Sequence, residues 1–223
     1  MTHSALLLGA IGVLAETSDL QRRAFNTAFE MNELVWHWDA ETYAALLEVP
    51  GGRARLAYYA KAQGVHIDVD AVYEAKVAVF EAALADGVDL RPGIADVIAA
   101  AQAEGMRIGF ATSTDPRQVA AILKGVSGQL DTSVFAFIGD NTQMTYPKPA
   151  PDIYHAALTH LGITANDAIA IEDTPESAAA AVAAGIRTFA YPGAEAVGRD
   201  FGRYVEVLTD PRDAVMRSQV LVA

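Results

Sequence analysis

The sequence predicts an α/β protein, a doubly wound (Rossmann-like) parallel sheet with a block of helices inserted after its first strand. Three observations carry that prediction. Residues 5–15 open on an unbroken apolar run and then break at glycines, which is how a strand buried on both faces reads. From Ser18 to about Gly87 the apolar residues recur at spacings of three and four, the helical period. Beyond Gly87 short apolar runs alternate with helical stretches, the rhythm of strand-helix-strand units.

Taken in order, the first strand passes through Leu6-Leu7-Leu8 and ends in a glycine-containing loop from Gly9 to Gly12. Open α/β sheets bind their ligands at such carboxyl edges, so a site is expected there. Helices are predicted over Asp19–Met31, Ala40–Leu47, Arg53–Gln63 and Asp70–Ala85, with turn chemistry at Pro50-Gly51-Gly52 and Gly64 to Asp68. Trp36, His37 and Trp38 read as core of this block rather than as a stacking platform. Residues 94–104 read as a helix stopped at Gly105, and Met106–Ala111 as a buried strand leading into Thr112-Ser113-Thr114-Asp115-Pro116. Asp115 suits an N-cap, with Pro116 at the first helical position. A hydroxyl at a strand end, backed by a helix N-terminus, is a natural phosphate cradle. Further strands are expected at Val134–Ile138, Ala168–Ile171 and Ile186–Tyr191, the last two flanking an alanine-rich helix stopped by Gly185. The stretch after Pro192 gives little to read.

Composition narrows the function. A chain of 223 residues, 52% hydrophobic, can build one substantial core, or a core with a small accessory domain. Its net charge of −12 and lack of any basic run argue against a nucleic-acid partner, which needs clustered Lys and Arg. The apolar run over residues 5–15 is too short to span a bilayer, and the four residues before it carry no Lys or Arg for a signal peptide. No membrane association is expected. The absence of cysteine rules out disulfides, iron-sulfur clusters and a thiol nucleophile, and fits the cytoplasm. The histidines at 3, 37, 66, 155 and 160 form no zinc-ligand spacing, since His155 and His160 lie five apart and do not share a helix face.

Four motifs, in order, carry a resemblance that covers nearly the whole chain. They are Leu8-Gly9-Ala10-Ile11-Gly12-Val13-Leu14-Ala15-Glu16-Thr17 followed by Leu20-Gln21-Arg22-Arg23-Ala24-Phe25-Asn26; then Thr112 at the end of its strand; then Lys148-Pro149-Ala150-Pro151-Asp152-Ile153-Tyr154; then Glu172-Asp173-Thr174 after a buried strand. Together they resemble the haloacid dehalogenase-like (HAD) superfamily, in its CbbY and β-phosphoglucomutase-like branch. The resemblance implies an α/β core over residues 1–15 and 87–223, with a helical cap over 16–86 that closes over the active site, excludes water and selects substrate.

The same resemblance shows what is missing. Gly9 and Ile11 stand where the family has its nucleophilic aspartate and its acid/base aspartate, and neither glycine nor isoleucine can attack phosphorus or move a proton. Gln21 also replaces a histidine that sits near the acid/base group. By resemblance, Thr112 hydrogen-bonds the phosphoryl group, with Ser113 beside it, and Lys148 neutralises nucleophile and phosphate between two prolines that fix its loop. Arg22, Arg53 and Lys76 would hold the substrate's distal phosphate from the helical block. Asp173 would bind Mg²⁺ directly, Glu172 through water and Ile11 through its backbone carbonyl; with the first carboxylate gone, Mg²⁺ is expected to bind weakly.

These features imply a catalytically impaired phosphatase-fold protein that binds a phosphorylated sugar, inorganic phosphate or a protein partner. One alternative is an active Mg²⁺-dependent sugar-phosphate phosphatase with a non-standard nucleophile; a second is a structural partner of a true phosphatase. No nearby carboxylate replaces the lost pair in the sequence, because Glu16 and Asp19 lie beyond the strand end.

Overall fold

The computed structural model describes residues 3–9, 11–49 and 51–218. Met1, Thr2, Ala10, Pro50 and residues 219–223 lie outside the described residues, and with them the start of the amino-terminal segment and the Pro50 end of the first predicted turn. By contact the chain divides into two compact units, residues 1–16 with 87–223, and residues 17–86.

The first unit is built on a six-stranded sheet, β1 (Ala5–Leu8), β2 (Arg107–Ala111), β3 (Phe135–Gly139), β4 (Ala168–Glu172), β5 (Arg187–Ala190) and β6 (Val205–Val207), in the order β3-β2-β1-β4-β5-β6. Every pairing is parallel. β1 and β4 are buried along their whole length, as central strands covered on both faces must be. The edge strand β3 instead alternates buried and exposed positions. Short β6, with its exposed Glu206 and Val207, lies in the stretch that the sequence left unread, and three residues carry too little pattern to announce a strand.

Ten helices are described: α1 (Ile11–Leu14), α2 (Ser18–Met31), α3 (Ala40–Leu46), α4 (Gly52–Gln63), α5 (Val69–Leu84), α6 (Ile94–Ala103), α7 (Pro116–Val126), α8 (Asp152–Leu161), α9 (Pro175–Ala183) and α10 (Asp213–Ser218). Alternation along the strands decides which helices can cover which face. Ala5 and Leu7 of β1 join Ala168 and Ala170 of β4, Phe137 of β3 and the apolar sides of α8 and α9 in one cluster. Leu6 and Leu8 point the other way, toward the face where α6 packs along β1 and β2 and α10 against β4. The expected loop after β1 is in part helical: the apolar run leaves the sheet at Gly9 and coils into α1, burying Ile11, Val13 and Leu14.

The second unit is the four helices α2 to α5. Phe25, Phe29, Trp38, Tyr43, Leu56 and Tyr73 belong to its core, with Trp38 fully buried and both Phe25 and Phe29 at 4.8 Å from its ring. The core reading of the Trp36-His37-Trp38 stretch needs one correction. The backbone there is extended, so side chains alternate, and His37 faces out while its neighbours pack inward. Asn26 fastens this segment by exchanging hydrogen bonds with the Trp38 backbone, 2.9 and 2.8 Å. Gly52 marks a close approach in the same unit, since a Cβ there would strike the Tyr73 ring. No helix among the described residues is long and apolar enough to cross a membrane.

Candidate functional site

The register of the sheet brings three of the predicted motifs to one edge. Leu8 pairs with Phe110 on β2 and with Ile171 on β4, so Gly9, the end of β2 and Glu172 share the next row at the carboxyl end. The chain winds from β1 toward β2 and β3 on one side and through β4 to β6 on the other. The crevice beside β1 and β4 is therefore the topological switch point where open sheets bind ligands.

Lys148 reaches this row from the loop before α8. Its side chain is 5% exposed, and its ammonium donates to the Gly9 carbonyl and to Glu172 Oε1, each at 2.6 Å. The same Glu172 oxygen accepts from the Tyr154 hydroxyl, which burial and the Glu172 charge keep from ionising well beyond the usual tyrosine range. Glu172 is fully buried, and its second oxygen has no hydrogen-bond partner among the described residues. A Cβ built on Gly9 would fall within the envelope of the Glu172 carboxyl group and the Tyr154 hydroxyl. The place where a side chain of residue 9 would begin is thus filled by the carboxylate of residue 172. Sequence reasoning found no nearby carboxylate to take the vacated place; the fold supplies one, from the fourth motif. Glu16 turns away and accepts from the Ala194 N–H at 2.8 Å.

Ile11 is buried as the first residue of α1, and its carbonyl accepts from the Ala15 N–H at 2.9 Å. That bond directs the carbonyl along the helix and takes one of its two lone pairs. Asp173 is nearly buried, with Oδ1 unpartnered among the described residues. Burial first, and the neighbouring Glu172 charge second, push its carboxyl up to about 7. HAD-type phosphatases typically use Mg²⁺. Of this chain's residues, Asp173 and Glu172 would hold such an ion, since their orphaned carboxylate oxygens are hard anionic donors that a divalent cation suits. Among the described residues no cluster of three or more His, Cys, Asp or Glu side chains adds to them.

Thr112 is buried just beyond β2, donating to the Thr114 hydroxyl at 2.9 Å and accepting from the Thr114 N–H at 3.2 Å. Ser113 beside it is half-buried. Asp115 caps α7 as predicted, accepting from the Arg117 N–H at 2.9 Å with Pro116 at the helix start.

The cations predicted in the helical unit are all engaged within it. Arg22 bonds Asp19 at 2.6 Å and the Trp38 carbonyl at 3.2 Å. Arg53 is held by Asp70 at 2.8 Å and Glu74 at 2.7 Å, with its guanidinium 4.0 Å over the Tyr73 ring. Lys76 is buried beside the rings of Phe25, Tyr73 and Phe80 and donates to Gln21, the residue that stands in the histidine's place. Arg53 and Lys76 therefore meet around Tyr73, whereas Arg22 sits apart on Asp19.

Two residues of the site escaped sequence reasoning. Tyr154 carries no role in the motif pattern, although a tyrosine in the first turn of a helix after a buried lysine has a hydroxyl to satisfy. Arg91, in the Leu90-Arg91-Pro92-Gly93 return to the sheet, donates to the carbonyls of Gly12, Tyr191 and Pro192 at 2.7, 2.9 and 2.6 Å. Its guanidinium also stacks 3.7 Å from the Tyr191 ring. No linear pattern announces a side chain that serves three distant carbonyls.

Comparison with known proteins agrees with this fold. The protein CbbY of Cereibacter sphaeroides is 37% identical over 193 residues, covering 85% of this chain and 84% of that protein. The plasmid-encoded CbbY of Cupriavidus necator is 41% identical over 197 residues, 84% of this chain and 78% of that one. Crystal structures of CbbY from Rhodobacter sphaeroides, one of a variant with xylulose 1,5-bisphosphate and one with phosphate, superpose with a TM-score of 0.87 at 34% identity, over 95% of this chain and 96% of theirs. Residues 5–185 match the haloacid dehalogenase-like hydrolase family, and the chain belongs to it.

Proposed function

We propose that this chain is a CbbY-type phosphatase-fold protein that holds a phosphorylated sugar or inorganic phosphate at the carboxyl edge of β1, β2 and β4 without turning it over at ordinary enzyme rates. One observation supports the reading: residue 9, where the resemblance puts the nucleophile, is a glycine, and the Glu172 carboxylate fills the space its side chain would take. Thr112, Ser113 and Lys148 are the phosphate-holding groups, a hydroxyl pair and a cation on a loop fixed by prolines. Removing two carboxylates lessens the repulsion that a phosphate dianion would meet. Mg²⁺, when bound by Asp173 and Glu172, would supply charge neutralisation of the phosphate.

A second reading, a phosphatase with a non-standard nucleophile, is favoured by the same Glu172. Against it stand the complete burial of that carboxylate and a residue 11 that cannot protonate a sugar leaving group.

The test is Mg²⁺-dependent phosphate release over a panel of sugar mono- and bisphosphates, xylulose 1,5-bisphosphate included, with ligand-induced thermal shifts measured alongside. The expected result is thermal stabilisation with release at least about four powers of ten below an ordinary phosphatase. Turnover on the order of 1–10³ s⁻¹, abolished by Lys148→Ala, would establish the second reading instead.

A further inference from the structure

Nothing in the family resemblance assigns Glu172 a place beneath residue 9. We infer that Glu172 is a built-in anion that replaces the lost side chain of residue 9 as the counter-charge of Lys148 and thereby sets the affinity of the site for phosphate; this deepens, and rests on, the phosphate-binding reading.

Three observations meet at this point. Gly9 has no Cβ, and any Cβ there would collide with the Glu172 carboxyl group and the Tyr154 hydroxyl, so the inward glutamate requires glycine at residue 9. Lys148 directs its ammonium at internal acceptors, the Gly9 carbonyl and Glu172 Oε1, each at 2.6 Å. Glu172 is fully buried, with Oε2 unpartnered among the described residues, so a second negative charge brought to Lys148 would meet it undiluted by water. An arriving phosphate finds Lys148 already neutralised and a carboxylate beside it. It must displace Glu172 from the lysine or bind against its charge. Within a poorly solvated site such a like charge weakens anion binding, and its removal strengthens it.

Calorimetric titration of the full-length protein with inorganic phosphate in EDTA, native against Glu172→Gln, reads this directly. The glutamine keeps the shape and an acceptor for Lys148 and Tyr154 while losing the charge. The expected result is affinity roughly tenfold or more higher in the variant. A parallel thermal-unfolding cycle tests the fit without any ligand. Gly9→Ala is expected to lower Tm by roughly 5 °C, and by less than about 2 °C when Glu172→Ala and Tyr154→Phe have first emptied the space. Equal or weaker affinity in Glu172→Gln overturns the inference and leaves the phosphate-binding reading standing. Binding to neither protein overturns that reading and the affinity-setting role together, and the unfolding cycle then decides alone whether Glu172 fills the place of residue 9. A Gly9→Ala shift that is the same in both backgrounds overturns the inference as well.

Discussion

Lys148 and Arg53 are two cations that the sequence offered for the same task, holding phosphate, and the fold treats them in opposite ways. Lys148 is buried and locked between a carbonyl and one carboxylate. Arg53 lies at the surface, 43% exposed, with two carboxylates from α5 and an aromatic face beneath it. Both are paired, but the pairings differ in kind. A buried pair is sustained by geometry, because either partner left alone would be a charge without water. An exposed pair in high dielectric is readily exchanged for solvent or for another ion. The same contact list therefore describes one rigid element and one replaceable one.

The sharpest way to break this contrast is to remove each cation. Lys148→Met leaves Glu172 buried without its counter-ion and is expected to destabilise the first unit by about 3–5 kcal/mol in denaturant unfolding. A loss under about 1 kcal/mol would place Lys148 in the same class as Arg53 and end the comparison.

Next in size is Asp173, whose burial is not matched by a direct cation. Burial and the Glu172 charge push its carboxyl up to about 7 in the folded protein, from an ordinary 3.8. The folded state thus binds that proton more tightly than the unfolded chain does. In metal-free protein stability should fall as pH rises from about 4 to about 7 and level off above. Asp173→Asn should remove that slope, gaining on the order of 4 kcal/mol at pH 8 and nothing near pH 4, as read from unfolding midpoints in EDTA. A variant no more stable than the native protein at pH 8 would show that Asp173 is charged there at no cost.

The smallest effect is expected at the surface. Arg53→Gln should change stability by less than about 1 kcal/mol, even though it deletes both ion pairs and the cation–π contact. A larger loss would mean that the Arg53, Asp70 and Glu74 group behaves as a coupled network, and would bring the two cations closer together.

How far each cation was legible in the sequence follows the same division. Lys148 could be placed because the Lys148-Pro149-Ala150-Pro151-Asp152-Ile153-Tyr154 stretch resembles the family's third motif, and two prolines fix its loop. The central strands were legible for a related reason: residues buried on both faces leave unbroken apolar runs, as Leu6-Leu7-Leu8 and Ala168–Ile171 do. The edge strand β6 has no such constraint and left no trace. Glu172 could be assigned to the end of a strand but not to the space beneath Gly9. A side chain's direction there depends on a Cβ missing from a residue 163 positions away, which is a fact of packing rather than of pattern. For Arg53, the charge was visible and its partners were not, since Asp70 and Glu74 belong to a helix that periodicity predicts without predicting its contacts.

Arg91 separates the shape of the first-motif loop from its chemistry. Because one guanidinium grips the Gly12 carbonyl together with those of Tyr191 and Pro192, the backbone after β1 is also held from outside the loop, by a residue 79 positions on. The scaffold and the chemistry of residues 9 and 11 are in this sense separable. Placing carboxylates at those positions becomes a problem of refitting side chains around a standing mould, with Glu172 and Tyr154 the pieces to be moved first.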